Sequence, residues 1–174
     1  MGMLTEAYNS RADEFVAHKQ AVETAREKLR EIAADLAELN DAYAAAGVPL
    51  KIDMNTSGID GDGYPHLTGT VSGLPRGTGL SLVQDSTVVP FSFVMIGEAS
   101  RVAAPDCEII LGNRDHPLMG THGTTVFARL PHWLTEFVKT IETAANVTPE
   151  QTVAIAGSLK KGPPPPRSRD QLSM

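Results

Sequence analysis

An apolar stripe at heptad spacing near the start of the chain limits its fold more than any other feature. Tyr8, Phe15, Val22, Leu29, Leu36 and Tyr43 recur every seven residues, and Ala25, Ile32, Leu39 and Ala46 each follow the last four by three. Alternating steps of three and four give the 3.5-residue period of a coiled-coil seam rather than the 3.6 of a lone amphipathic helix. No Gly or Pro interrupts residues 3–46, which are rich in the helix formers Ala, Glu, Leu, Lys and Arg. Glu23–Arg26 and Glu27–Arg30 set opposite charges one turn apart. Gly47 and Pro49 then end the helix. The first unit is therefore a coiled-coil-like helix over residues 3–47.

Length turns this helix into a statement about partners. The 39 residues from Tyr8 to Ala46 span roughly 58 Å at ~1.5 Å each. A body built from the rest of the ordered chain is only about 35 Å across. One copy of that body cannot shelter the whole stripe. Part of it must meet another chain, or a helix folded back along it. The expected interface residues are Phe15, Val22, Leu29, Ile32, Leu36, Leu39 and Tyr43. Leu at one seam position with Ile or Leu at the other favours three or four strands, a trimer or other oligomer. Arg11 and His18 are polar residues on the same seam. Such residues set register or oligomer state, unless the helix end frays and leaves them in water.

Beyond Gly47 the pattern becomes strand-rich. "PLKIDM", "HLTGTVSG", "GLSLVQD", "TVVPFSFVMIG", "CEIILG" and "TTVFAR" are short alternating or β-branched runs parted by Gly, Pro, Asn and Asp. Pro90 inside the fourth run predicts an edge strand or a bulge, and "EASRVAAPD" predicts a helical turn. Helical spacing returns in "PHWLTEFVKTIETAA", with Trp133, Leu134, Phe137, Val138, Ile141 and Ala145 on one face. A last helix opens on a Thr148/Gln151 capping box with Pro149 at its first position. The expected organisation is α+β: helix 3–47, a β-rich domain with C-terminal helices over 48–161, and a Pro-rich tail over 162–174.

Two polar stretches could carry chemistry. "DMNTSGIDGDGYPH" places Asp53, Asn55, Ser57 and Gly58 as the first half of a calcium loop would, and Asp60 and Asp62 add further oxygens. Tyr64 stands where the closing bidentate glutamate belongs, and the entry reads as a strand rather than a helix. A polar turn uses the same residues for backbone reasons alone. In "NRDHPLMGTHG", Asp115, His116 and His122 fall on an expected loop, where a zinc site or a proton-transfer cluster could form, although no spacing matches a metal motif. "GLPRGTGLSL" lacks the phosphate-cradle spacings, and Ser81 has no nucleophile elbow. Cys107 is the one cysteine, at the start of an apolar run, and reads as a packing residue with no disulfide partner. The tail's PxxP at Pro163 and Pro166 is a docking motif or tether.

Composition narrows the classes. The 174-residue chain is 41% apolar with a net charge of −6, which disfavours a general nucleic-acid binder. No window holds the apolar run of a membrane span or a secretory signal, so a cytoplasmic setting is expected. The sequence thus points to a non-enzymatic oligomeric structural or adaptor protein without cofactor. It would assemble through its first helix and offer a β-rich domain to another protein. A metal-dependent hydrolase or lyase using Asp115, His116 and His122, and a calcium-binding module at residues 53–62, are the alternatives.

Overall fold

A computed structural model of the chain describes residues 2–75, 88–96 and 105–161. The run "GLSLVQD", nearly all of "EASRVAAPD" and the Pro-rich tail lie outside them. The elements are α1 (Gly2–Ala46), β1 (Lys51–Asn55), β2 (His66–Ser72), β3 (Val89–Ile96), β4 (Asp106–Asn113), β5 (His116–Gly123), α2 (Thr124–Ala128), α3 (Leu130–Ala144) and α4 (Pro149–Lys161). The five strands pair antiparallel in sequence order, so each meets only its chain neighbours. The fold is α+β, as the alternating and helical runs imply.

Alternation decides which side of the sheet is inside. Ile52, Leu67, Val71, Phe91, Phe93, Met95, Cys107, Ile109 and Leu111 are all buried, while the residues between them are not. Phe137 of α3 sits on this face against Phe91 and Phe93, with ring centroids 5.3 and 5.5 Å away. Gly69 makes room for that cluster, because a Cβ there would stand 2.6 Å from the Phe91 ring and 2.1 Å from the Asp53 carbonyl oxygen. α3 runs alongside α1 in the same direction, and the Tyr43 hydroxyl donates to Glu142 at 2.7 Å where the two end. α4 then returns along α1. Its capping box forms as the sequence predicts, with Thr148 Oγ1 accepting from the Gln151 backbone N–H and the Gln151 side chain accepting from that of Thr148.

Three expectations are corrected. Residues 116–123 form strand β5 rather than a loop, with only Arg114 and Asp115 turning the chain from β4. "TTVFAR" contributes helix α2 rather than a strand. There the inward residues Val126 and Leu130 are four apart and continue through Leu134, Phe137 and Ile141, so helical burial overrides β-branched propensity. Pro90 lies on the central strand, not on an edge. It is tolerated because the ladder to β4 begins one residue later, at Phe91–Leu111.

The long helix is tied to the sheet by a polar contact as well as by packing. β1 is an edge strand, and its Ile52 peptide would be left unpaired on the outer side. Asn40 of α1 supplies both missing bonds. Its Nδ2 donates to the Ile52 carbonyl at 2.6 Å and its Oδ1 accepts from the Ile52 N–H at 2.8 Å. Replacing Asn40 with Ala leaves two shielded backbone groups without partners and should lower unfolding stability by about 1–3 kcal/mol. Leu36→Ala should cost about 2–5 kcal/mol, whereas Phe15→Ala should leave the urea midpoint of the monomeric unit unchanged. Equal losses at Leu36 and Phe15 would contradict this division of the helix.

Candidate functional site

The stripe on α1 is divided between two environments. From Ala25 onward it is covered by its own chain: Ala25, Leu29, Ile32, Leu36, Leu39 and Tyr43 all join the single core that the strands and α3 share. Five of the residues expected to meet other chains, Leu29, Ile32, Leu36, Leu39 and Tyr43, are thus satisfied within one copy. They include the Leu and Ile positions that favoured three or four strands, so the trimer preference loses its basis. Val22 is half-buried, and Phe15 is exposed.

N-terminal to Ala25 the helix projects as an arm. Leu4, Tyr8 and Phe15 continue the same stripe and are 67%, 65% and 65% exposed. Met3 and Val16 flank it and are exposed too. Among the described residues, five of the nine exposed large apolar side chains lie on this arm, the others being Tyr64, Val88, Val153 and Leu159. Surface apolar residues scattered singly need no explanation, but a row continuing a buried seam does. Arg11 is not simply solvated, since its guanidinium lies over the Tyr8 ring, 5.5 Å from the centroid. His18 is half-buried, and its Nδ1 is shielded from water with no hydrogen-bond partner.

The boundary between arm and body is built from the stretch first considered as a calcium loop. Arg26 donates from Nε to the Ile59 carbonyl at 3.0 Å and from Nη2 to the Gly61 carbonyl at 3.4 Å, and Arg30 pairs with Asp60. Ile59 is buried beneath them. Asn55 Oδ1 accepts from the Ser57 N–H and hydroxyl, which closes a polar turn. Asp53 lies on strand β1 beside Lys51, and Asp62 is exposed. Of the side-chain oxygens expected to hold calcium, Asp60 is thus paired with a guanidinium, and together with the Ile59 and Gly61 carbonyls it clamps the loop on α1. Gly58 leaves room here for the His66 ring, which a Cβ would displace from 2.1 Å away.

The histidine stretch is drawn apart by its strand. His116 pairs with Asn113 and His122 with Glu108, six residues away along β5, about 20 Å at the usual rise. Asp115 is in the turn, its N–H donating to Asn113 Oδ1 at 3.0 Å. Glu108, opposite His122, is held by Arg114 at 3.2 Å. Among the described residues no three His, Cys, Asp or Glu side chains stand close enough together to hold a metal ion. Cys107 packs into the core with no exposed surface. Burial, and next the charge of Glu108, push its thiol up to about 12. Burial and the bond to Glu142 likewise hold the Tyr43 hydroxyl well above its ordinary range.

Concavities also lie between α1 and α3, one of about 440 Å³ lined by Ile32, Phe127, Leu130 and Leu134 nearer the arm's root. A groove of about 370 Å³ between α1 and α3 is lined by Leu36, Leu39, Leu134 and Val138, with Leu159 of α4 at one end. Its charged rim of Asp35, Glu38 and Lys139 shows no convergence on a ligand. No helix among the described residues is long and apolar enough to cross a membrane. Comparison with family models, with curated proteins and with solved structures gives no match to this chain.

Two measurements follow. A thermal melt should give the same midpoint with calcium as with a chelator, because Arg26 and Arg30 occupy the loop; a rise with calcium would restore residues 53–62 as a cation site. The native thiol should resist a thiol reagent at about pH 8 and react once the chain is unfolded. Its raised value stabilises the fold below the ordinary thiol value of 9.0, and that contribution is lost as pH rises from there towards about 12. Rapid labelling of the native protein would contradict the burial of Cys107.

Proposed function

We propose that this protein is a non-enzymatic assembly or adaptor subunit. It associates with further copies through the projecting arm of α1 and holds its β-rich body out to a protein partner. The observation that carries this reading is the exposed row of Leu4, Tyr8 and Phe15. It lies on a helix whose C-terminal half already uses the same stripe as core. A helix whose first fifteen or so residues stand exposed gains little there from its own hydrogen bonds in water, and helices of that length usually depend on packing of an apolar face. Two aromatic rings on such a face favour association, since aromatic anchors contribute most to protein contacts.

The body supports the second half of the reading. Its helices cover one face of the sheet, and the opposite face carries Asn55, Thr68, Ser92, Glu108 and His122 together with Val94 and Ile110, a mixed polar and apolar surface suited to recognition.

Sedimentation velocity on the full chain tests the association directly. The wild-type protein should sediment as more than one copy, with a mass that falls on dilution. The double variant Tyr8→Ser with Phe15→Ser should sediment as a monomer and melt at the midpoint that the wild type reaches when diluted to monomer, because neither side chain belongs to the core. A wild-type chain that stays monomeric at every concentration would refute the proposal.

A further inference from the structure

Resting on the arm as a self-association surface, we infer that its occupant is one second copy, lying antiparallel, in a register where residue numbers facing each other sum to 26. The seam residues of the arm are Leu4, Tyr8, Arg11, Phe15, His18 and Val22. Laid against its own reversed copy, this set falls into matched layers. Leu4 meets Val22 of the second copy, Tyr8 meets His18, and Arg11 meets Phe15, each layer occurring twice about a two-fold axis beside Asp13.

Each polar seam residue then meets a group that suits it. Arg11, which already lies over Tyr8 in its own chain, gains the Phe15 ring of the second copy on its other side, a second cation–π contact. His18 has a shielded Nδ1 without a partner in its own chain, and the Tyr8 hydroxyl of the second copy brings the missing hydrogen bond. The two-fold torsion of the imidazole ring lets that nitrogen turn to the seam. Leu4 and Val22 close each end as an apolar pair.

The body fixes the register. A shift of one heptad further along sets Leu4 against Leu29, which has no exposed surface because its own core covers it. A shift the other way leaves His18 and Val22 unmatched. A sum of 26 is the longest overlap the body admits, and it brings the tip of each arm to the clamp at Arg26 on the other copy.

A parallel pair makes the opposite trade. It would set Glu14 beside Lys19 of the second copy, a favourable flanking contact. It would also stack Arg11 on Arg11 and His18 on His18 within the seam. The antiparallel pair has its own adverse contact, Glu14 facing Glu14 at the two-fold axis. That pair flanks the seam, where water screens it, and a like pair in such a place costs little. Seam complementarity therefore outweighs the flanks.

Single-cysteine spin labels test this with the seam intact. Glu6, Asp13 and Gln20 are exposed and point away from the stripe, and Cys107 is buried and stays unlabelled in the native protein. Pulsed electron–electron distances would be measured in three full-length variants, Glu6→Cys, Asp13→Cys and Gln20→Cys. The antiparallel register predicts the shortest interchain distance at position 13. Positions 6 and 20 should give longer and mutually similar distances, each with an axial offset of about 21 Å. Three equal distances in a dimer would overturn the antiparallel inference and leave the arm's self-association standing. The absence of any interchain distance, with a monomeric mass, would overturn both. Tyr8→Phe keeps the ring and removes the hydroxyl, and should weaken the dimer roughly tenfold; an unchanged dissociation constant would overturn the Tyr8–His18 contact.

Discussion

The structure depends on the burial of one helical stripe, from Ala25 to Tyr43, against a single sheet face. A five-stranded antiparallel meander has two faces and can leave only one of them in water without a second layer. α1 and α3 supply that layer, with Leu29 and Leu36 on one side and Phe137 and Ile141 on the other, all essentially without exposed surface. Remove the α1 stripe and the inner face on the β1 and β2 side, with Ile52, Leu67 and Val71, loses its cover. The helix is therefore a structural part of the body for about half its length, and an appendage for the rest.

Polar contacts fix where that change occurs. Asn40 completes the edge of β1 by imitating a neighbouring strand. Arg26 and Arg30 hold the β1–β2 loop against the helix at the point where burial begins. A hydrophobic stripe alone is non-directional and could slide by a turn. Hydrogen bonds from Asn40 to one peptide and from Arg26 to two carbonyls select one placement. Asp60 and the carbonyls of Ile59 and Gly61 make this attachment, so the stretch most like an ion-binding loop also serves as a clamp.

Much of the architecture was legible in the sequence because its signals are local. The helix, the strands at "PLKIDM", "HLTGTVSG" and "CEIILG", and the Thr148–Gln151 box follow from periodicity, propensity and capping within a few residues. The failures have one physical origin, which is tertiary context. "TTVFAR" looks like a strand until Val126 and Leu130 are seen to share one buried face. "NRDHPLMGTHG" looks like a loop because Pro117 and Gly120 break the expected alternation, yet β4 lies beside it and pairs with it. The register shift between Leu111 and Gly112 absorbs the irregularity. For the stripe, heptad spacing identifies which residues need cover but not what covers them. Leu29 and Leu4 carry the same signal, and only the sheet distinguishes them. Asn40 and Arg26 gave no motif at all, since their partners are backbone groups supplied by distant parts of the chain.

The central claim is that one continuous helix has two sources of protection, its own fold after Ala25 and another copy before it. Amide hydrogen exchange along α1, followed at several protein concentrations, measures both at once. Amides from Leu29 to Tyr43 should be strongly protected at every concentration. Those from Leu4 to Phe15 should exchange fast in dilute solution and slow as concentration rises. Uniform protection of the whole helix at the lowest concentration, or an arm that exchanges equally fast at all concentrations, would contradict the account.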